Sequence, residues 1–109
     1  DDTIVIKDRL NTQVVQFMVQ CLNNSIKLVL ISKNNSNDPD RYLDSLRIRQ
    51  FFDEIIWLEE SQSKADHISD KSAIFIDDSF SQRMAVAAAC NIPTFDPSMV
   101  EMLLREKRS

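Results

Sequence analysis

Apolar residues recur at helical spacing over residues 12–22, where Val14, Val15, Phe17, Met18, Cys21 and Leu22 line one side and Asn23-Asn24 close the run. This pattern predicts an amphipathic helix. Residues 26–31 are apolar apart from Lys27, short and β-branched, as in a strand covered on both faces, with Ser32 directly at its carboxyl end. Polar turn formers fill 33–38. Asp38-Pro39 then supplies an N-cap and a proline at the first helical position, with Tyr42, Leu43 and Leu46 on one face. Phe51-Phe52 are expected to plug the core, 54–58 reads as a second buried strand, and 59–63 as a polar loop. Lys64 opens a short helix through Ile68. A third apolar strand, 73–76, runs into Asp77-Asp78-Ser79, and 80–90 is an alanine-rich helix with Met84, Val86 and Ala87 facing inward. Residues 92–95 make a short fourth strand, and Pro97 starts a last helix through Leu104. Strands alternating with helices imply an α/β fold with a doubly wound parallel sheet, because parallel neighbours need crossover connections. No repeat, linker or low-complexity segment divides residues 1–109, which read as one domain.

Composition narrows the picture. With 43% hydrophobic residues, 109 residues suffice for a real core. The net charge of -4 with both signs mixed argues against a nucleic-acid footprint, and Arg105, Lys107 and Arg108 read as a solvated helix terminus. No apolar run approaches a membrane span and no signal-peptide pattern opens the chain, so a cytoplasmic protein without membrane contact is expected. Cys21 and Cys90 lack the spacing of a metal or redox pair and read as buried free thiols; His67 stands alone. The chain has no glycine, which excludes a Walker loop and a dinucleotide fingerprint. Any phosphate must be held by side chains and ordinary amides. Asparagine is expected to take the left-handed turn positions, for example at Asn23-Asn24 and Asn34-Asn35.

In an open parallel sheet ligands bind outside the carboxyl ends of the strands. Ser32 and Asp77-Asp78 stand at such ends, and Lys64 lies between them in sequence, at a helix start from which its ammonium could reach the same edge. Taken singly, each has a plain structural reading: a Ser or Asp after a strand often caps the next helix, and a Lys at a helix start is usually solvated. Two adjacent aspartates after a buried strand are harder to dismiss, because they repel unless a cation holds them, and magnesium is the natural cation for hard oxygen ligands.

Chain order separates two families with similar parts. A response-regulator receiver has its acidic pair first and its lysine last, whereas here the order is Ser32, Lys64, Asp77-Asp78. The segments LVLISKN, KADHI and AIFIDDSFSQR resemble the second, third and fourth motifs of the haloacid dehalogenase-like superfamily, whose first motif is Asp-x-Asp-x-Thr at the end of a central strand. The opening DDTIV fits that motif with Asp1 as its second Asp and Thr3 as its Thr. The resemblance then implies a Rossmann-like fold whose first central strand and nucleophilic aspartate precede residue 1, with a strand-wide gap between the strands near Ile26 and Ala73. More narrowly, AIFIDDSFSQR followed by NIPTFDPSMVEML is similar to phosphatase-like domains of bacterial surface-polysaccharide gene clusters.

By this resemblance Asp1 is the general acid/base, and Ser32 hydrogen-bonds a phosphoryl oxygen that Thr3 helps to bind. Lys64 neutralises charge on nucleophile and phosphate, and Asp77, Asp78 and the Asp1 carbonyl hold Mg2+. The implied function is magnesium-dependent hydrolysis of a phosphomonoester, such as a phosphorylated sugar or a larger phosphorylated substrate. The gaps between motifs leave no room for a cap domain, so a partner domain, a homo-oligomer or the substrate itself must cover the site. The alternative is a non-catalytic interaction or regulatory domain that keeps the fold.

Overall fold

A computed structural model describes residues 5–6, 9–33 and 39–105 of the chain. A short antiparallel hairpin of β1 (Val5–Ile6) and β2 (Arg9–Leu10) leads into α1 (Thr12–Asn23). The Asn11 side chain accepts a hydrogen bond from the Val14 amide at 3.3 Å, so α1 starts one residue after a good N-cap. Its Val14, Met18 and Cys21 are buried, as the apolar stripe predicts. The helix closes where the backbone of Ser25 turns to φ 57: the Ile26 amide reaches the Cys21 carbonyl at 2.8 Å and the Ser25 amide the Leu22 carbonyl at 3.2 Å. This closure takes Ile26 out of the expected strand and leaves it half exposed, so β3 runs Val29–Lys33 rather than 26–31.

The α/β character is clear. β3 pairs in parallel with β4 (Glu54–Leu58), placing Leu30 opposite Ile55 and Ser32 opposite Trp57. The crossover passes through α2 (Pro39–Leu46), which closes on Arg47 at φ 58, and a 3-10 turn at Arg49–Phe51. Asp53 locks the start of the ladder: its amide donates to the Leu28 carbonyl at 2.8 Å and its carboxylate accepts from the Leu28 amide at 2.7 Å. A second parallel pair joins β5 (Phe75–Ile76) to β6 (Thr94–Phe95) through α3 (Phe80–Cys90). The described residues thus form three two-stranded sheets, not one continuous doubly wound sheet. β3 and β5, expected to flank a central strand, make no ladder with each other.

Two apolar clusters cover these strands. The first gathers Val14, Met18, Leu30, Leu43, Ile48 and Val100, with Phe51, Phe52 and Trp57 packed on it. The second gathers Phe75, Val86, Cys90 and Ile92. Phe75 belongs to the second while its neighbour Ile76 packs on the first, so β5 is covered on both faces, as the alternation of a strand requires.

Some expectations are corrected. Met84 on α3 is exposed, and Val86 with the partly buried Ala87 faces inward. The last element is a 3-10 helix at Pro97–Leu103, and the Lys64 element is a 3-10 turn at Lys64–His67. The left-handed positions fall on Ser25, Arg47 and Asn91; Asn34-Asn35 lie outside the described residues. Among the described residues only Asn91, closing α3, follows the asparagine expectation, because the register of each helix end, not residue preference, selects the position that must turn. Among the described residues no helix is long and apolar enough to cross a membrane.

Candidate functional site

The chain leaving β5 places Asp77 where it is held from every side. Its amide continues the ladder by donating to the Phe95 carbonyl at 3.0 Å. Its Oδ1 accepts from the Ser79 amide at 2.9 Å, and Ser79 in turn caps α3 by accepting from the Gln82 amide. Its Oδ2 accepts from Lys64 Nζ at 2.6 Å. Its carbonyl accepts from Arg83 Nη1 at 2.7 Å, and the same nitrogen donates to Asp96 Oδ2 at 3.2 Å.

Lys64 reaches Asp77 from the 3-10 turn at Lys64–His67. That turn lies against α3, where Cys90 Sγ stands 3.5 Å from the Ala65 carbonyl and 3.7 Å from that of Ile68. Lys64 is 8% exposed and Asp77 4%, which sets aside the plain reading of a solvated lysine. Desolvating both charges is costly and is offset only by a short, well-bonded contact such as this one. The charge set against the Asp77 carboxylate is the Lys64 ammonium.

Arg83 and Asp96 were not among the residues singled out by sequence. Asp96-Pro97 repeats the capping pattern of Asp38-Pro39, and Asp96 does cap Pro97–Leu103 by accepting from the Ser98 amide at 2.9 Å. The hydrogen bonds from the Ser98 amide and side chain, then the Arg83 charge, hold the Asp96 carboxyl below its ordinary range. The cap was legible; its ion pair with Arg83, thirteen residues away, has no local signal.

Ser32 is buried inside the β3 ladder rather than just beyond it, on the same face as Leu30. It lies in the β3–β4 pair whereas Asp77 follows β5 of the other parallel pair, and no hydrogen bond joins Ser32 to Lys64 or Asp77. Asp78 is exposed. Asp1 and Thr3 lie outside the described residues. His67 is exposed, while Cys21 and Cys90 are free and buried, burial pushing the Cys21 thiol up.

Among the described residues no group of three or more His, Cys, Asp or Glu side chains is placed to hold a metal ion. Asp77 and Asp78 are adjacent carboxylates, hard donors both, and each Asp77 oxygen keeps a second lone pair beside its present bond. Magnesium commonly takes one or two carboxylates and completes its shell with water and phosphate oxygens, so the chemistry of this pair fits that ion. Compared with known proteins, the chain matches no family model, no curated protein and no solved structure.

Proposed function

We propose that the chain is a magnesium-dependent phosphomonoester hydrolase of the haloacid dehalogenase-like type, acting in the cytoplasm on a phosphorylated sugar or a larger phosphorylated substrate. The observation that carries this reading is the buried Lys64–Asp77 pair at 2.6 Å, which couples the third and fourth of the resembling motifs at the end of β5. In this proposal the nucleophile is an aspartate two positions before Asp1, and Asp1 protonates the leaving oxygen and then activates water. Lys64 neutralises charge beside the reacting phosphate, and Ser32 and Thr3 bind its oxygens. Asp77, Asp78 and the Asp1 carbonyl would hold Mg2+, which would supply charge neutralisation at phosphorus. The two parallel pairs are, on this reading, halves of one doubly wound sheet. The open site is covered by a partner domain, by a second copy or by the substrate. A setting in surface-polysaccharide biosynthesis fits the sequence likeness.

A second reading has its own observation. The amide, the carbonyl and both carboxylate oxygens of Asp77 are all engaged, which also suits a structural knot in a non-catalytic interaction domain. One experiment separates the two. The full-length protein is assayed for magnesium-dependent phosphate release from an aryl phosphate, beside Asp77→Asn and His67→Ala. The hydrolase reading expects turnover that Asp77→Asn lowers about 10–100-fold while His67→Ala leaves it nearly unchanged. No release favours the interaction domain, and equal losses in both variants would mean that the site lies elsewhere.

A further inference from the structure

Resting on the reading of Asp77 as a site residue, we propose that Arg83 is the positioning residue of this site, its guanidinium fixing the Asp77 main chain so that the carboxylate stays aimed at Lys64. A single guanidinium nitrogen carries two N–H groups, and Arg83 Nη1 directs them to the Asp77 carbonyl at 2.7 Å and to Asp96 Oδ2 at 3.2 Å. The Asp77 amide is bonded to Phe95, whose next residue is Asp96. The contacts therefore close a ring from Asp77 through Phe95, Asp96 and Arg83 back to Asp77. Both peptide groups flanking the Asp77 Cα are pinned by this ring, leaving only side-chain rotation to aim the carboxylate. The Ser79 amide and Lys64 then take one oxygen each.

The chemistry suits the role. Arginine stays charged at any physiological pH, so the carbonyl it holds receives a charge-assisted bond whatever the state of neighbouring carboxyls. Arg83 is itself anchored. Its side chain is 16% exposed, the Phe80 ring lies 5.8 Å from its guanidinium carbon, and Asp96 is fixed as the cap of the following 3-10 helix. An arginine that merely held α3 against the strands would need the Asp96 contact alone.

Amide hydrogen exchange on the full-length protein tests this without requiring turnover. Arg83→Met removes both donors and keeps an apolar stem. Exchange at the Asp77 and Ser79 amides is expected to accelerate about tenfold or more. The Phe75 amide, bonded to the Pro93 carbonyl at 3.0 Å in the same strand pair, should stay within about twofold. Arg83→Lys, which keeps the charge, should recover part of the protection at Asp77 and Ser79. Equal acceleration at Phe75, Asp77 and Ser79 would mean that Arg83 only docks α3 and would overturn the proposal, as would unchanged exchange at Ser79. Should Arg83→Met fail to fold, Asp96→Asn, which leaves the Arg83 bond to Asp77 but loosens its anchor, is expected to give the same local pattern more weakly. In a protein that releases phosphate, Arg83→Met should lower kcat and leave KM within about twofold. Localised exchange in a protein without turnover supports the positioning role and removes the hydrolase reading.

Discussion

At Lys64 and Asp77 two opposite charges sit 2.6 Å apart with side chains 10% and 6% exposed, so neither can turn to water when the other is removed. Lys64→Met is expected to cost about 3–5 kcal/mol by leaving the Asp77 carboxylate buried without its partner. The double variant Lys64→Met with Asp77→Leu should regain most of that loss. Urea unfolding measures both, and a single-variant cost below about 1 kcal/mol would show that the pair is hydrated in solution. Asp70 illustrates the opposite extreme, a fully exposed carboxylate. Its Oδ1 accepts from Ser72 Oγ at 2.6 Å and the Ser72 amide at 2.9 Å; these bonds, side chain first, and the Lys27 charge hold its carboxyl below the ordinary value. A depressed folded pKa favours the ionised form, so its contribution is complete above the usual carboxylate value of about 3.9 and is lost as pH falls through the lower folded value. Unfolding measured from about pH 6 down to about pH 2 should therefore show the wild type converging on Asp70→Asn at the acid end. A constant difference across that range would remove the assignment.

Helix ends carry the cost of a chain with no glycine. α1 and α2 both close through a residue in the left-handed region, Ser25 at φ 57 and Arg47 at φ 58, each followed by an amide reaching back five residues, Ile26 to Cys21 and Ile48 to Leu43. A non-glycine residue in that region costs about 1–2 kcal/mol, against which glycine's extra freedom in the unfolded chain costs about 0.5–1 kcal/mol. Ser25→Gly should thus stabilise the protein by roughly 0.5–1 kcal/mol in thermal or urea unfolding. A loss of stability instead would mean that the Ser25 side chain contributes a contact worth more than the strain. The cap signals at Asn11, Ser79 and Asp96 were all in the sequence, and each sits one residue before the helix it opens. The ends of α1 at Asn23 and of α3 at Cys90 were legible as well, but the left-handed turns at Ser25 and Arg47 were not, since they follow from the phase at which each helix stops against its cluster.

Among the described residues the two apolar clusters share no buried member, and β5 stands between them with Ile76 turned to one and Phe75 to the other. Leu30→Ala in the first cluster is expected to cost about 2–5 kcal/mol, with a smaller loss for Val86→Ala in the second. Without shared partners the two losses should add to within about 0.3–0.5 kcal/mol in the double variant. Coupling well beyond that range would show that β5 transmits packing strain and that the clusters behave as one core.

The sequence by itself determined the local features: the periodicity of α1, the strand run at β4 and the end of the run at β5, the caps, the burial of both cysteines, and the place of Asp77 directly after β5. These follow from side-chain spacing and from backbone groups that need a nearby partner, which a short stretch of chain contains in full. Tertiary structure alone decided that Lys64 is buried against Asp77, that Arg83 and Asp96 complete its surroundings, that Met84 faces outward and that Ile26 leaves its strand. The first three depend on which surfaces meet after crossovers of ten or more residues, and the last on the closure of α1 at Ser25. Desolvation acts on the assembled neighbourhood of a group, whereas periodicity is written in the chain.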